Sequence, residues 1–177
     1  MAGVDPARFV FLDETSTPIS LTPLRARAPR GQRAVGHVPR GKRPHISWLA
    51  TLTPTGIGES LVVPGAVDRQ VFDLFIERWL VPSLHPGQIV ILDNLKVHDS
   101  AAARRRSAAA GCHLVFLPTY SPDMNPIEQA FAKIKQALRR TGPRAWDTVV
   151  AAIGAALVTV TESDARAFFA DAGFPLP

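Results

Sequence analysis

The sequence predicts an α/β fold, a mixed sheet with helices on its faces. Three observations lead there. Two four-residue apolar runs, Phe9-Val10-Phe11-Leu12 and Ile89-Val90-Ile91-Leu92, each stop at an acid. Two further strand patterns, over 45–53 and 58–63, have a turn signal between them, the mark of a hairpin. From residue 86 onward, strand patterns alternate with helical ones.

Taken in order, residues 9–12 are rich in aromatic and β-branched side chains and read as a buried strand ending at Asp13-Glu14. The stretch from Arg25 to Arg43 differs in kind. It holds Arg25, Arg27, Arg30, Arg33, Arg40, Lys42 and Arg43 with no acid, punctuated by Pro29, Gly31, Gly36, Pro39 and Gly41. That composition predicts an extended ribbon and not a helix. Residues 45–53 and 58–63 form the hairpin around Pro54-Thr55-Gly56. Asp68 can cap a helix in which Val71, Phe72, Phe75, Trp79 and Leu80 repeat with helical spacing, and Pro82 is expected just past its end. Pro86-Gly87 opens the second apolar strand, which ends at Asp93. An Ala-rich helix over 99–110 stops at Gly111, and a strand over 113–117 stops at Pro118. A Pro-rich loop over 120–126 precedes a helix over 126–140. Two more helices, over 145–160 and 162–170, close the sequence. Trp48, Trp79 and Trp146 are expected in the core, and Cys112 is expected to be a small buried apolar residue.

Composition narrows the function. With 177 residues the length suits one domain, and 46% hydrophobic against 20% charged residues excludes global disorder. A single cysteine excludes a disulfide framework and any Cys-rich zinc module. No apolar run reaches the roughly 18 residues of a membrane span, and residues 1–6 lack the basic start and apolar stretch of a signal peptide. These features predict a soluble protein of a reducing compartment. A net charge of +5 and a pI near 10.1 point to an anionic partner, nucleic acid first.

Three acids stand at the ends of elements. Asp13 and Asp93 each follow a four-residue apolar strand. If those strands are parallel neighbours, both carboxylates emerge at one sheet edge, where ligand sites form. Glu128 lies 34 intervening residues after Asp93, room for one helix and one strand to bring the chain back to that edge. Clustered carboxylates raise one another's pKa, and a divalent cation relieves this. Oxygen ligands suit Mg²⁺ or Mn²⁺. Two such ions about 3.5–4 Å apart would clamp the attacking and leaving oxygens of a phosphodiester exchange. A structural reading stands beside this one. Asp favours turns, and Glu128 falls at the third helical position of a capping box with Asn125 as N-cap and Pro126 after it.

Several sequence segments resemble the catalytic domain of the IS630 transposases, within the Tc1/mariner group of DDE endonucleases. They are Asp13-Glu14-Thr15, Arg27-Ala28-Pro29-Arg30-Gly31, Asp93-Asn94 with His98, and Leu117-Pro118-Thr119-Tyr120-Ser121-Pro122-Asp123-Met124-Asn125-Pro126-Ile127-Glu128. The last is the specific one, and the resemblance runs from about Asp5 to Phe174. It implies an RNase H-like fold with a central five-stranded sheet flanked by helices, one catalytic domain over 1–177. It implies a catalytic triad of Asp13, Asp93 and Glu128 that also holds two Mg²⁺ or Mn²⁺ ions. The implied reaction is cleavage of DNA at transposon ends and joining of the freed 3′ hydroxyl to target DNA, typically at TA. The implied nucleophile is water and then the DNA 3′ hydroxyl. The family's usual N-terminal helix-turn-helix region is expected to lie outside this sequence, which implies a second reading frame joined by frameshifting, a partner encoded upstream, or a decayed fragment. A homodimer is the expected active assembly, and the bacterial cytoplasm, with the nucleoid, the expected location. The sequence also departs from the family at Arg25-Ala26, where an aromatic-Gly pair is usual. A non-catalytic or domesticated DNA-binding remnant is the main alternative. A nuclease of RNA–DNA hybrids is a further one, against which the Tyr-Ser-Pro…Glu stretch argues.

Around the triad, Lys135 and Arg139 lie within roughly 20° of Glu128 on a helical wheel, while Ile127, Phe131, Ile134 and Leu138 form the buried stripe. The two cations either meet DNA phosphates or belong to a solvated face. The ribbon residues Arg27, Arg30, Arg33, Arg40, Lys42 and Arg43 either line a DNA channel, contact a second protomer or are solvated. Arg104-Arg105-Arg106 read as an exposed helix face. Asn94 either holds an oxygen of Asp93 or a phosphate, or caps a turn. His98 either supports the site or makes a structural hydrogen bond. Asn125 is a further candidate for supporting the site.

Overall fold

Strand β1, Phe9–Pro18, is the middle of a five-stranded sheet in a computed structural model that describes residues 4–39, 44–95, 97–119 and 121–176. The sheet order is β3-β2-β1-β4-β5. Strands β2, His45–Thr53, and β3, Gly56–Pro64, form the hairpin and run antiparallel to each other and to β1. Strands β4, Ile89–Leu92, and β5, His113–Phe116, run parallel to β1 on its other side. The mixed sheet is therefore half hairpin and half crossover.

The apolar runs are continuous because their strands are covered on both faces. Phe9 and Phe11 point to one core with Trp48, Ile89 and Ile91. Helices α4, Ile127–Thr141, α5, Trp146–Leu157, and α6, Glu162–Asp171, pack on this side. Val10 and Leu12 point to the other core with Leu49, Val90 and Leu92. It is covered by α1, Arg69–Phe75, by α2, Val81–Ser83, and by α3, Ala101–Ala109. Phe11 meets Phe169 edge-on at 5.2 Å, and Trp48 meets Phe131 edge-on at 6.0 Å. Such pairs add about 0.5–1.5 kcal/mol beyond the area they bury. The stripe Ile127, Phe131, Ile134 and Leu138 is fully buried as expected and ties α4 to the sheet, at about 1.5–3 kcal/mol per side chain. Gly142 then ends α4 in the left-handed region at φ 58°, a conformation open to glycine at little cost.

Several boundaries differ from expectation. Strand β1 does not stop at Asp13 but runs on to Pro18, because β2 continues to pair with it as far as Pro18↔His45 after β4 has ended. Pro82 does not follow its helix; it lies inside α2. The turn before it, Ile76–Leu80, widens into a π-helical turn, which accommodates a residue that has no N–H and crowds the carbonyl four positions back. The cap of α3 is Ser100, whose hydroxyl accepts from Ala103 N, so Asp99 lies outside the helix. Trp146 is 38% exposed, since it is the first residue of α5, one turn before the buried stripe starts at Val149. Cys112 is buried, and its thiol donates to the His85 carbonyl at 3.1 Å. Among the described residues no single helix is long and apolar enough to cross a membrane.

Candidate active site

The parallel ladder sets the site. It runs from Phe9↔Ile89 to Leu12↔Leu92, so the next residue on each strand is an aspartate, Asp13 on β1 and Asp93 just past β4. The two acids share one sheet edge, as the apolar runs predicted. Glu128, on the first turn of α4, joins them. A single pocket of about 290 Å³ is lined by all three carboxylates together with Asn94, Thr119, Ser121 and Asn125. That volume has room for ions, water and a phosphate group, since a water occupies about 30 Å³. Among the described residues, no three His, Cys, Asp or Glu side chains already stand close enough to grip one ion.

Asp13 is 4% exposed and both its oxygens are engaged. Glu14 N donates to Oδ1 at 2.7 Å, and Asn125 Nδ2 donates to Oδ2 at 2.7 Å. Burial pushes its carboxyl up to about 7, and the charges of Asp93 and Glu128 add to this against the Glu14 N–H and His98. The capping-box reading of Glu128 does not hold. Pro126 occupies the N-cap position with no side-chain cap bond, and Asn125 turns its amide to Asp13 and away from the helix amides. Without that amide the buried Asp13 Oδ2 would be left unsatisfied, which costs more than leaving helix amides open to water.

Asp93 is held from behind. His98 Nδ1 lies 2.5 Å from Asp93 Oδ1, and Leu95 N lies 3.4 Å from the same oxygen. The His98 ring is 0% exposed and tilts over Phe72 at 4.8 Å. Its Nε2 faces Glu14 Oε2 at 3.9 Å. Burial works against the charged ring, but the hydrogen bond to Asp93 and the negative charges of Asp93 and Glu14 outweigh it and hold His98 at about 9. Asn94 bonds the Thr119 hydroxyl at 3.2 Å, tying the loop after β4 to the loop after β5, so its amide serves Thr119 and not Asp93.

The cations are distributed unevenly. Lys135 is half-buried on the face of Glu128. Burial holds its ammonium below the ordinary value, with Arg139 adding to this and the charges of Glu128 and Asp13 opposing it. Arg139 is also half-buried and lines a second groove with Arg25, Lys133, Arg140 and Phe168. Arg27, Arg30 and Arg33 are exposed on the irregular segment between β1 and β2 and do not line the acidic pocket. Arg40, Lys42 and Arg43 lie outside the described residues, as does Tyr120. On α3, Arg104 and Arg105 are exposed; Arg104 pairs with Asp99 and stacks over Phe116, and Arg106 pairs with Glu77.

Two residues at the site escaped the sequence reading. Glu14 was read as a strand-ending charge and as part of the Asp13-Glu14-Thr15 segment, with no role of its own. Strand alternation was the available signal, since it turns Glu14 to the face opposite Asp13, where His98 waits. Thr119 was read only as part of the segment from Leu117 to Glu128, with no role assigned to it.

A mixed five-stranded sheet flanked by helices, in the order β3-β2-β1-β4-β5, is the RNase H-like fold. Solved structures share that fold. They include a pre-cleavage Mos1 transpososome (TM-score 0.73, 16% identity, covering 93% of this chain and 52% of that chain). The Mos1 mariner paired end complex with Mn aligns with TM-score 0.72, 16% identity, 93% of this chain and 52% of that one. The catalytic domain of Mos1 mariner transposase aligns with TM-score 0.65, 14% identity, 93% of this chain and 76% of that one. The chain spans about half the length of the transpososome chains it matches. No curated protein matches it in sequence. The family model of the DDE superfamily endonucleases matches residues 8–149, most of the chain, and the protein belongs to that family.

Proposed function

We propose that the chain is the catalytic domain of an IS630-like transposase of the Tc1/mariner group, which cuts DNA at transposon ends and joins the freed 3′ hydroxyl to target DNA, with TA the expected target. One observation carries the reading: three carboxylates from β1, from the end of β4 and from the start of α4 line one pocket, where burial, with the charges of Asp93 and Glu128 adding to it, pushes Asp13 up to about 7. The donor set is all hard oxygen, which fits Mg²⁺ or Mn²⁺. Asp13, Asp93 and Glu128 would hold the metal, two ions on the family pattern. When bound, the metal supplies a lowered pKa for the attacking water or hydroxyl and charge for the leaving oxygen.

The chain's own residues do the positioning. Asn125 and Glu14 N fix the Asp13 carboxylate. Glu128 has no cap bond to give up and is free to turn toward an ion. Lys135 and Arg139, on the same face of α4, are placed to meet DNA phosphates, and the ribbon from Arg27 to Arg43 adds exposed positive charge. Reading of the transposon ends is assigned to a helix-turn-helix region outside this domain, the active assembly to a pair of copies, and the location to the bacterial cytoplasm with the DNA.

The test is nicking of supercoiled plasmid by the purified chain with Mn²⁺. Nicking should require the metal, stop with EDTA, and vanish in Asp93→Asn and Glu128→Gln. If the wild-type chain binds plasmid yet leaves it intact with Mn²⁺, the enzyme reading gives way to that of a non-catalytic DNA-binding remnant.

A further inference from the structure

His98 lies on the far side of the sheet from the acidic pocket, yet touches one of its acids. Strand alternation sends Asp13 to the α4 face and Glu14 to the α1–α3 face. The His98 ring sits on the second of these, tilted over Phe72 and 0% exposed. From there Nδ1 reaches Asp93 Oδ1 at 2.5 Å. An ionised carboxylate only accepts, so the Nδ1 proton points at Asp93. The ring cannot follow a carboxylate that swings away. Its backbone is tied on both sides, His98 N donating to Leu95 O at 3.0 Å and Ser100 N donating to His98 O at 2.8 Å. Ser100 in turn caps α3 and donates to Asp73 Oδ1 at 2.5 Å. Behind the ring, Nε2 and Glu14 Oε2 face each other at 3.9 Å, and neither atom has a hydrogen-bond partner among the described residues.

We propose that His98 is a positioning residue for Asp93. Its buried Nδ1 pins Oδ1, so the other oxygen of Asp93 is presented to the pocket as a metal ligand, with Glu14 as the backstop that keeps the ring in place. This rests on the metal-dependent reading above. It adds that the geometry of the second acid is set from the opposite face of the sheet. Asp13 is pinned by Asn125 from the pocket side, and Asp93 by His98 from the other, while Glu128 stays unpinned.

The test measures Mn²⁺ affinity of the full chain by electron paramagnetic resonance without DNA, alongside steady-state nicking. His98→Asn places an amide nitrogen near the position of Nδ1, and His98→Gln places one near Nε2. With both variants folded by circular dichroism, His98→Gln should weaken Mn²⁺ binding by about 10–100-fold and lower kcat with the KM for DNA unchanged, while His98→Asn keeps most of the affinity. Unchanged or tighter binding in His98→Gln, or equal losses in both variants that track a fall in melting temperature, overturns the proposal. A second measurement needs no variant. In wild-type chain with ¹⁵N-labelled histidine, the Nδ1 resonance of His98 should move when Mg²⁺ is added, and a resonance that stays put counts against the contact. Wild-type chain that binds no Mn²⁺ removes the metal-dependent reading itself, and this proposal with it.

Discussion

Asn125 donates its side-chain amide to Asp13 Oδ2 at 2.7 Å across 112 positions of sequence. Both residues are buried, and the bond joins the start of α4 to the middle of the sheet. Replacing Asn125 with Ala should lower stability by about 1–3 kcal/mol, because it strands a buried carboxylate oxygen. The same change should reduce Mn²⁺-dependent nicking by about 10–100-fold, as expected for loss of a residue that orients a metal ligand. Denaturant melts and nicking rates check the two effects separately.

Stability without metal should fall as pH rises. Asp13 keeps its proton up to about 7 in the folded chain against 3.8 ordinarily, so its contribution is full below 3.8 and lost by about 7. His98 is raised from 6.5 to about 9, so its contribution is full below 6.5 and lost as pH climbs through about 9. The two act in the same direction. Thermal melts in EDTA should show a continuous decline over this range, and Asp13→Asn should flatten its acidic half. Mg²⁺ at pH 8 should raise the melting temperature of the wild-type chain and leave Asp13→Asn nearly unmoved.

Glu128→Gln separates catalysis from capping. With no side-chain cap bond at the start of α4, the change should shift stability by less than about 0.5 kcal/mol, the usual range for a side chain outside the packing. A loss near 1 kcal/mol, typical of a broken cap, would revive the capping role. Paired melting and nicking assays on one preparation decide between them.

Phe131→Ala should cost about 3–5 kcal/mol, the range for a large buried aromatic. Its ring packs edge-on to Trp48 and is part of what seats α4. Because α4 carries Glu128, any variant that still folds should also lose nicking. Activity that survives in a folded Phe131→Ala would show that the seat of α4 does not set the position of Glu128.

Lys135 and Arg139 can be counted as phosphate contacts through salt dependence. If each meets one phosphate, removing either should lower the slope of log K against log salt by about 0.9 for duplex DNA. Fluorescence anisotropy over a salt series gives the slope directly, and unchanged slopes would return both side chains to the solvated face.

Some of this was legible in the sequence because it is local. The apolar tetrads of β1 and β4, the hairpin around Pro54-Thr55-Gly56, and the stripe Ile127, Phe131, Ile134 and Leu138 follow from periods of 2 and 3.6 residues. The placement of Asp13 and Asp93 at one edge followed from two matching strands, once parallel pairing was assumed. Pro82 was misplaced because a breaker signal does not tell whether a widened turn before it can absorb the strain.

The sequence by itself determined the α/β class, the apolar periods of strands and helices and the identity of the three acids, because each is written in local chemistry, while their meeting at one edge needed the parallel pairing of β1 with β4. The tertiary structure alone decided which partner each polar group took. Asn125 chose a carboxylate over the helix terminus, Asn94 chose Thr119 over Asp93, and His98 reached Asp93 from the opposite face with Glu14 behind it. Hydrogen bonds are settled by which donors and acceptors burial leaves facing each other, and that depends on how distant segments pack, information that no local pattern of residues contains.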